Sequence, residues 1–133
     1  MPNATTQLGA MSTGLPDVCK TPIGPVVTPL PYPNIAESSS HVPNIVNQFY
    51  AAGTVHNLMT EGTISNGDQP GVEMGVVSNM IMGPDKYMLG SLKVINECAP
   101  GARQTTITAQ NGEIPNAPGS TLMPSENRVQ LMG

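Results

Sequence analysis

Fourteen glycines and fourteen prolines, spread along 133 residues, constrain this chain more than any other feature. Proline removes a backbone donor and clashes inside a helix, and glycine loses the most entropy on ordering, so long helices are nearly excluded. A stretch free of both, such as 44–52, is short enough that a helix there would be marginal, because helix nucleation is costly. Strands and turns must make up the fold. The same density of Gly and Pro also occurs in disordered chains, but those are usually highly charged. Here charged residues are 11 % and the net charge is -4, which favours order and one all-β domain over residues 1–133.

Composition then removes several function classes. Only 38 % of residues are hydrophobic, and the chain is rich in Thr, Ser, Asn and Gln, which suits exposed strand faces better than a large greasy core. With no Trp, one Phe, three Tyr and five Lys plus Arg, neither a stacking platform for bases nor a phosphate track can be assembled, so nucleic acid is not expected as a partner. The start, Met1-Pro2-Asn3-Ala4-Thr5, has no basic region followed by an apolar run, and no stretch is apolar enough to span a bilayer. The expectation is a protein made in the cytoplasm without a signal peptide.

Along the chain, Gly14 to Pro33 carries prolines so close together that both helix and central strand are disfavoured, and it reads as an extended, polyproline-like strap over the outside. Asn47 to Thr60 places Gly53 between two strand-like runs, as in a hairpin. Ser65 to Gly71 gathers turn-forming residues. Val72 to Met82 and Lys86 to Gly90 read as short strands. Ser91 to Arg103 reads as a second hairpin turning near Ala99-Pro100-Gly101, and Gln104 to Thr108 as a Thr-rich strand. Asn111 to Gly119 is a turn-rich link to a third unit, where Ser125-x-x-Arg-Val echoes Ser91-x-Lys-Val at a repeat-sized distance. Three strand-turn-strand units suggest an approximate pseudo-threefold arrangement.

No Gly-x-Ser-x-Gly elbow and no phosphate-cradling loop are present, so catalysis is not expected. Asp17, Asp68 and Asp85 each sit beside Pro or Gly, where aspartate commonly bonds its own turn backbone. Nine Met residues, with Met80, Met82 and Met88 close together, read mostly as filler of an irregular small core. Cys19, His41, His56 and Cys98 are the entire supply of soft metal ligands. Two readings stand: one tetrahedral two-Cys, two-His zinc site, or four independent residues, the latter being more usual for lone Cys and His in β domains.

Five strings then occur in an order that carries a resemblance. Gly14-Leu-Pro-Asp-Val-Cys-Lys-Thr-Pro22 is followed by Pro31-Tyr-Pro-Asn-Ile-Ala36 and Ser65-Asn-Gly-Asp-Gln-Pro-Gly-Val72 with Gly75-Val-Val-Ser78. Ser91-Leu-Lys-Val-Ile95 and Ala99-Pro-Gly-Ala-Arg103 complete the set. Together they resemble the PAAR-like family of spike-tip proteins. The resemblance implies a small cone of β-hairpins with approximate threefold symmetry, seated on the trimeric VgrG-type spike of a contractile injection machine, type VI secretion being the commonest setting. It also implies puncture of a target-cell envelope, effectors or toxins as companions, and a zinc held near the apex by three His and one Cys, where this chain has two His in total. Ending at Gly133, the chain is expected to be a bare tip without a toxin extension. The alternatives are a metal-stabilised binding or carrier module, and the tip of a contractile phage tail spike.

Overall fold

Prolines at alternate positions shape the first half of the chain. In the computed structural model, which describes residues 2–132, the segment expected as one strap instead doubles back at Gly24 and Pro25. It forms an antiparallel hairpin of β1 (Met11–Ile23) and β2 (Val26–Glu37). Pro29 and Pro31 lie opposite Lys20 and Val18. At those two residues β1 turns its polar groups away from β2: Lys20 N–H donates to Met74 O, and Val18 O accepts from Val76 N–H. The prolines therefore owe no ladder bond, and a strand is compatible with them at the sheet edge. The outward side of β2 lacks N–H groups at these positions, which blunts that edge against further pairing.

Among the described residues nine shorter strands follow: β3 (His41–Val42), β4 (Phe49–Tyr50), β5 (Gly53–Thr54), β6 (Glu61–Gly62), β7 (Asp85–Tyr87), β8 (Ile95–Asn96), β9 (Ala99–Pro100), β10 (Ile107–Gln110) and β11 (Ala117–Met123). Seven strands make one sheet in the order β2-β1-β11-β10-β7-β6-β3, antiparallel throughout, and β4-β5 and β8-β9 stand as separate hairpins. One 3-10 turn, Ser38–Ser40, links β2 to β3. The fold is all-β, built of short strands and hairpins, as the Gly and Pro content requires.

Several boundaries differ from the sequence expectation. The hairpin expected at Gly53 is β4-β5, but Ala51 and Ala52 make its turn and Gly53, with φ +112, opens the return strand. The second hairpin is β8-β9, and its turn is Glu97 and Cys98, with φ 44 and 70, so that Ala99 and Pro100 form the return strand. A two-residue turn with both φ positive matches strand twist, and here it is made without glycine. Val72 to Met82 is no strand. Met74, Asn79 and Met82 have φ of 73, 54 and 51, and turn bonds such as Met74 N–H to Gly71 O and Asn79 N–H to Gly75 O curl the segment against β1. Strand β10 begins later than expected, and β11 takes up the C-terminal part of the expected Asn111 to Gly119 link; residues 124–132 run irregularly beyond it, bridged to the N-terminal segment at Asn3 and Gln130.

The interior is small and polar. Its apolar members are mainly alanines with Ile45, Val55, Tyr87 and Leu131, while Thr5, Thr6, Asn34, His56, Asn57, Thr60, Gln110 and Asn111 are fully buried. Burying such groups is tolerable chiefly where they are hydrogen-bonded: Thr6 bonds Ser125, Asn57 and Thr60 bond Asn44, and His56, Asn34 and Asn111 belong to two larger clusters. The methionines are not core filler: Met59, Met74, Met80, Met88, Met123 and Met132 are exposed.

Candidate functional site

The first cluster gathers the two histidines. His41 opens β3, and its Nδ1–H donates to Glu37 O at 3.0 Å, a carbonyl that can only accept. Its Nε2 lies 3.0 Å from Asp85 Oδ2 on β7, with both side chains buried. His56 stands beside it, ring centroids 5.2 Å apart, and the Tyr87 ring stacks on His41 at 5.4 Å. Burial, with a smaller contribution from His41, lowers His56 to about 3, so its imidazole is neutral. Gln7 Oε1, 3.0 Å from Nε2, is an acceptor, which places the His56 proton on Nε2; Nδ1 then accepts from the Tyr87 hydroxyl at 3.1 Å. Gln7 Nε2 continues the chain by donating to His41 O at 2.8 Å.

The second cluster lies at the root of the β1-β2 hairpin. Asp17 and Cys19, two residues apart on one strand, face the same side. Asp68, from the Ser65 to Gly71 turn, meets them, and one ligand atom from each of the three lies within 4.8 Å of the others. Cys19 Sγ is 3.4 Å from Asp17 Oδ1 and 3.8 Å from Asp68 Oδ2. Burial and the neighbouring Asp17 charge push the thiol up to about 12, so it keeps its proton; Asp68 is raised as well, chiefly by burial. A protonated thiol among carboxylates is a poor nucleophile. Three side-chain amides close the shell: Asn34 Nδ2 donates to Asp17 Oδ2 at 2.9 Å, Asn111 Nδ2 to Asp68 Oδ2 at 2.7 Å, and Asn116 Nδ2 to Asp17 Oδ1 and, at 2.9 Å, to Val18 O. The Met82 N–H donates to both Asp68 oxygens.

The four ligand candidates are therefore not one site. His41 and His56 come together, Cys19 belongs to the other cluster, and Cys98 is exposed at the β8-β9 turn. A zinc centre of three His and one Cys, or of two of each, needs imidazole nitrogens with free lone pairs. Here both His56 nitrogens are engaged, Cys19 lies in the other cluster and Cys98 is exposed, so these residues do not fit such a centre. Of the aspartates, Asp68 takes backbone N–H bonds as its turn setting suggests but also shares the thiol cluster with Asp17, and Asp85 faces His41. The spacing Asp17-Val-Cys19 is the one local signal of that cluster. Asn34, Asn111 and Asn116 give none.

A family model described as a toxin PAAR-like domain matches residues 10–118. The chain belongs to the toxin PAAR-like family. Comparison with curated proteins and with solved structures gave no match. The PAAR-like span begins just before β1 and ends inside β11, so every residue of the Asp17-Cys19-Asp68 cluster and its amides lies within it. Family membership carries a PAAR-type, spike-associated role.

Proposed function

We propose that the protein caps and sharpens the trimeric VgrG-type spike of a contractile injection machine, type VI secretion foremost, with one monomer per trimer. The observation that carries this reading is the PAAR-like match over most of the chain. In this role the protein binds and does not turn over a substrate. It is loaded on the spike in the producing cell, delivered with its companion effectors, and contacts the target envelope only in passing. A trimeric β-structured shaft ends in unpaired strand edges, and a small monomer made of hairpins can extend those edges and bring them to a close.

Exposed apolar side chains occur along the whole chain, from Leu8 to Met132. Hairpins β4-β5 and β8-β9 are tied together by bridges between Thr6 and Val55, Ala4 and Arg103, and Asn57 and Gly101. This part of the molecule exposes Val46, Phe49, Met59, Leu92, Ile95 and Met132, with Leu92 76 % and Phe49 65 % accessible. Large apolar side chains left in solvent over a polar interior are available to a partner, and in this reading those on and beside these two hairpins form the contact face. Mixing the purified chain with its trimeric spike should give a complex of one monomer per trimer by light scattering. Absence of any complex at micromolar concentrations would sink the reading.

A further inference from the structure

We infer that the side-chain amide of Asn111 occupies the position a cation would take between Asp17, Cys19 and Asp68, so that this centre is closed by hydrogen bonds and not by a metal. The inference does not depend on the spike reading. Asn111 Nδ2 has four acceptors around it, drawn from three segments of the chain: Asp68 Oδ2 at 2.7 Å, Met80 O at 3.0 Å, Asp17 Oδ1 at 3.2 Å and Cys19 Sγ at 3.9 Å. A metal bound to the same oxygens would need bonds of about 2.0–2.6 Å from a point that the nitrogen already fills.

The amide cannot turn its oxygen inward to join such a set. Asn111 Oδ1 accepts the Gly83 N–H at 3.0 Å, and reversing the amide would leave that N–H unpaired and aim an acceptor at two carboxylates. The backbone is built to hold it there. Asn111 has φ 61, a left-handed conformation that asparagine tolerates better than most residues. A Cβ on Gly83 would come within 2.9 Å of Asn111 Oδ1, so the close approach needs glycine. The remaining ligand atoms are also engaged, Asp17 Oδ2 by Asn34 and both Asp68 oxygens by Met82 N–H. Neutral N–H donors thus supply the positive ends that two buried carboxylates require.

The test uses the full chain. Elemental analysis should find metal well below one equivalent, and the thermal midpoint should be the same in EDTA and in added ZnCl2. Adding CoCl2 should give no thiolate-to-cobalt absorption. Asn111→Asp replaces two donors with an acceptor and gathers three carboxylates. Its midpoint in EDTA should fall by several degrees and recover in ZnCl2, a dependence the parent chain lacks. One equivalent of tightly held metal in the parent chain, or a cobalt–thiolate band that Cys19→Ser abolishes, overturns the inference. So does an Asn111→Asp chain as stable as the parent and equally indifferent to ZnCl2. If that variant folds in neither condition, the parent chain's metal content and cobalt spectrum decide the matter.

Discussion

Buried titratable residues, His56 and Cys19 foremost, make stability depend on pH in opposite directions. His56 is lowered from 6.5 to about 3, so the unfolded chain takes up a proton below pH 6.5 that the folded chain refuses. Its contribution is complete above pH 6.5 and is lost as pH falls toward 3, at up to about 1.4 kcal/mol per pH unit. Asp68, raised by burial, acts the other way in the acid range, so the comparison that isolates the imidazole is urea unfolding between pH 7 and 4 of the parent against His56→Gln, which keeps an amide for Tyr87 and Gln7 and should show a shallower loss. Cys19 is raised from 9.0 to about 12. The unfolded thiol ionises above pH 9 while the folded one holds its proton, so this contribution is present below pH 9 and lost as pH rises toward 12. Tyr87, also raised by burial, acts in the same direction, so the comparison that isolates the thiol is the parent chain against Cys19→Ser, whose hydroxyl can keep the bond to Asp17. The variant should lose less stability between pH 8.5 and 10.5 in chemical denaturation.

At the scale of elements, pairing register decides what a residue is for. The β6-β7 register sets Gly62 opposite Asp85, and a Cβ at Gly62 would come within 1.8 Å of Asp85 Oδ1. Gly62→Ala must therefore displace the carboxylate from His41, and a loss of about 1–3 kcal/mol in urea unfolding is expected, as for overpacked interiors. Nothing in the sequence around Gly62 announces this, because its partner lies on another strand. The same holds for much of what the sequence left unread. Short strands, the absence of long helix and the rough places of β4-β5 and β8-β9 were legible, since each rests on local Gly, Pro and β-branched content. The β8-β9 turn was not, because Glu97 and Cys98 take positive φ where glycine would ordinarily signal it. Val72 to Met82 has strand composition, but Gly71 and Gly75 bring it hard against Cys19 and Asn116 in a curled path. Asp17, Asp68 and Asn111 each look like turn residues, and only the fold joins them into one centre.

For the molecule as a whole, the distribution of apolar surface is the physical link between fold and role. A core of alanine, threonine and asparagine leaves few large side chains inside, and Leu92, Phe49 and Ile95 sit largely in solvent. Exposed side chains contribute little to folding, because their accessibility changes little between the unfolded and folded states. They contribute to whatever covers them. The double change Phe49→Asp and Ile95→Asp should therefore leave the unfolding midpoint nearly unchanged, since β4 and β8 pair through backbone bonds that neither side chain supplies. The same change should weaken capture of the trimeric spike at least tenfold, because burying a carboxylate without a partner at an interface costs more than about 1.4 kcal/mol. Midpoint and capture are measured on the same preparation, so a loss of binding cannot be confused with a loss of fold. Unchanged capture with an unchanged midpoint would move the contact face away from these two hairpins while leaving the PAAR-like family assignment in place.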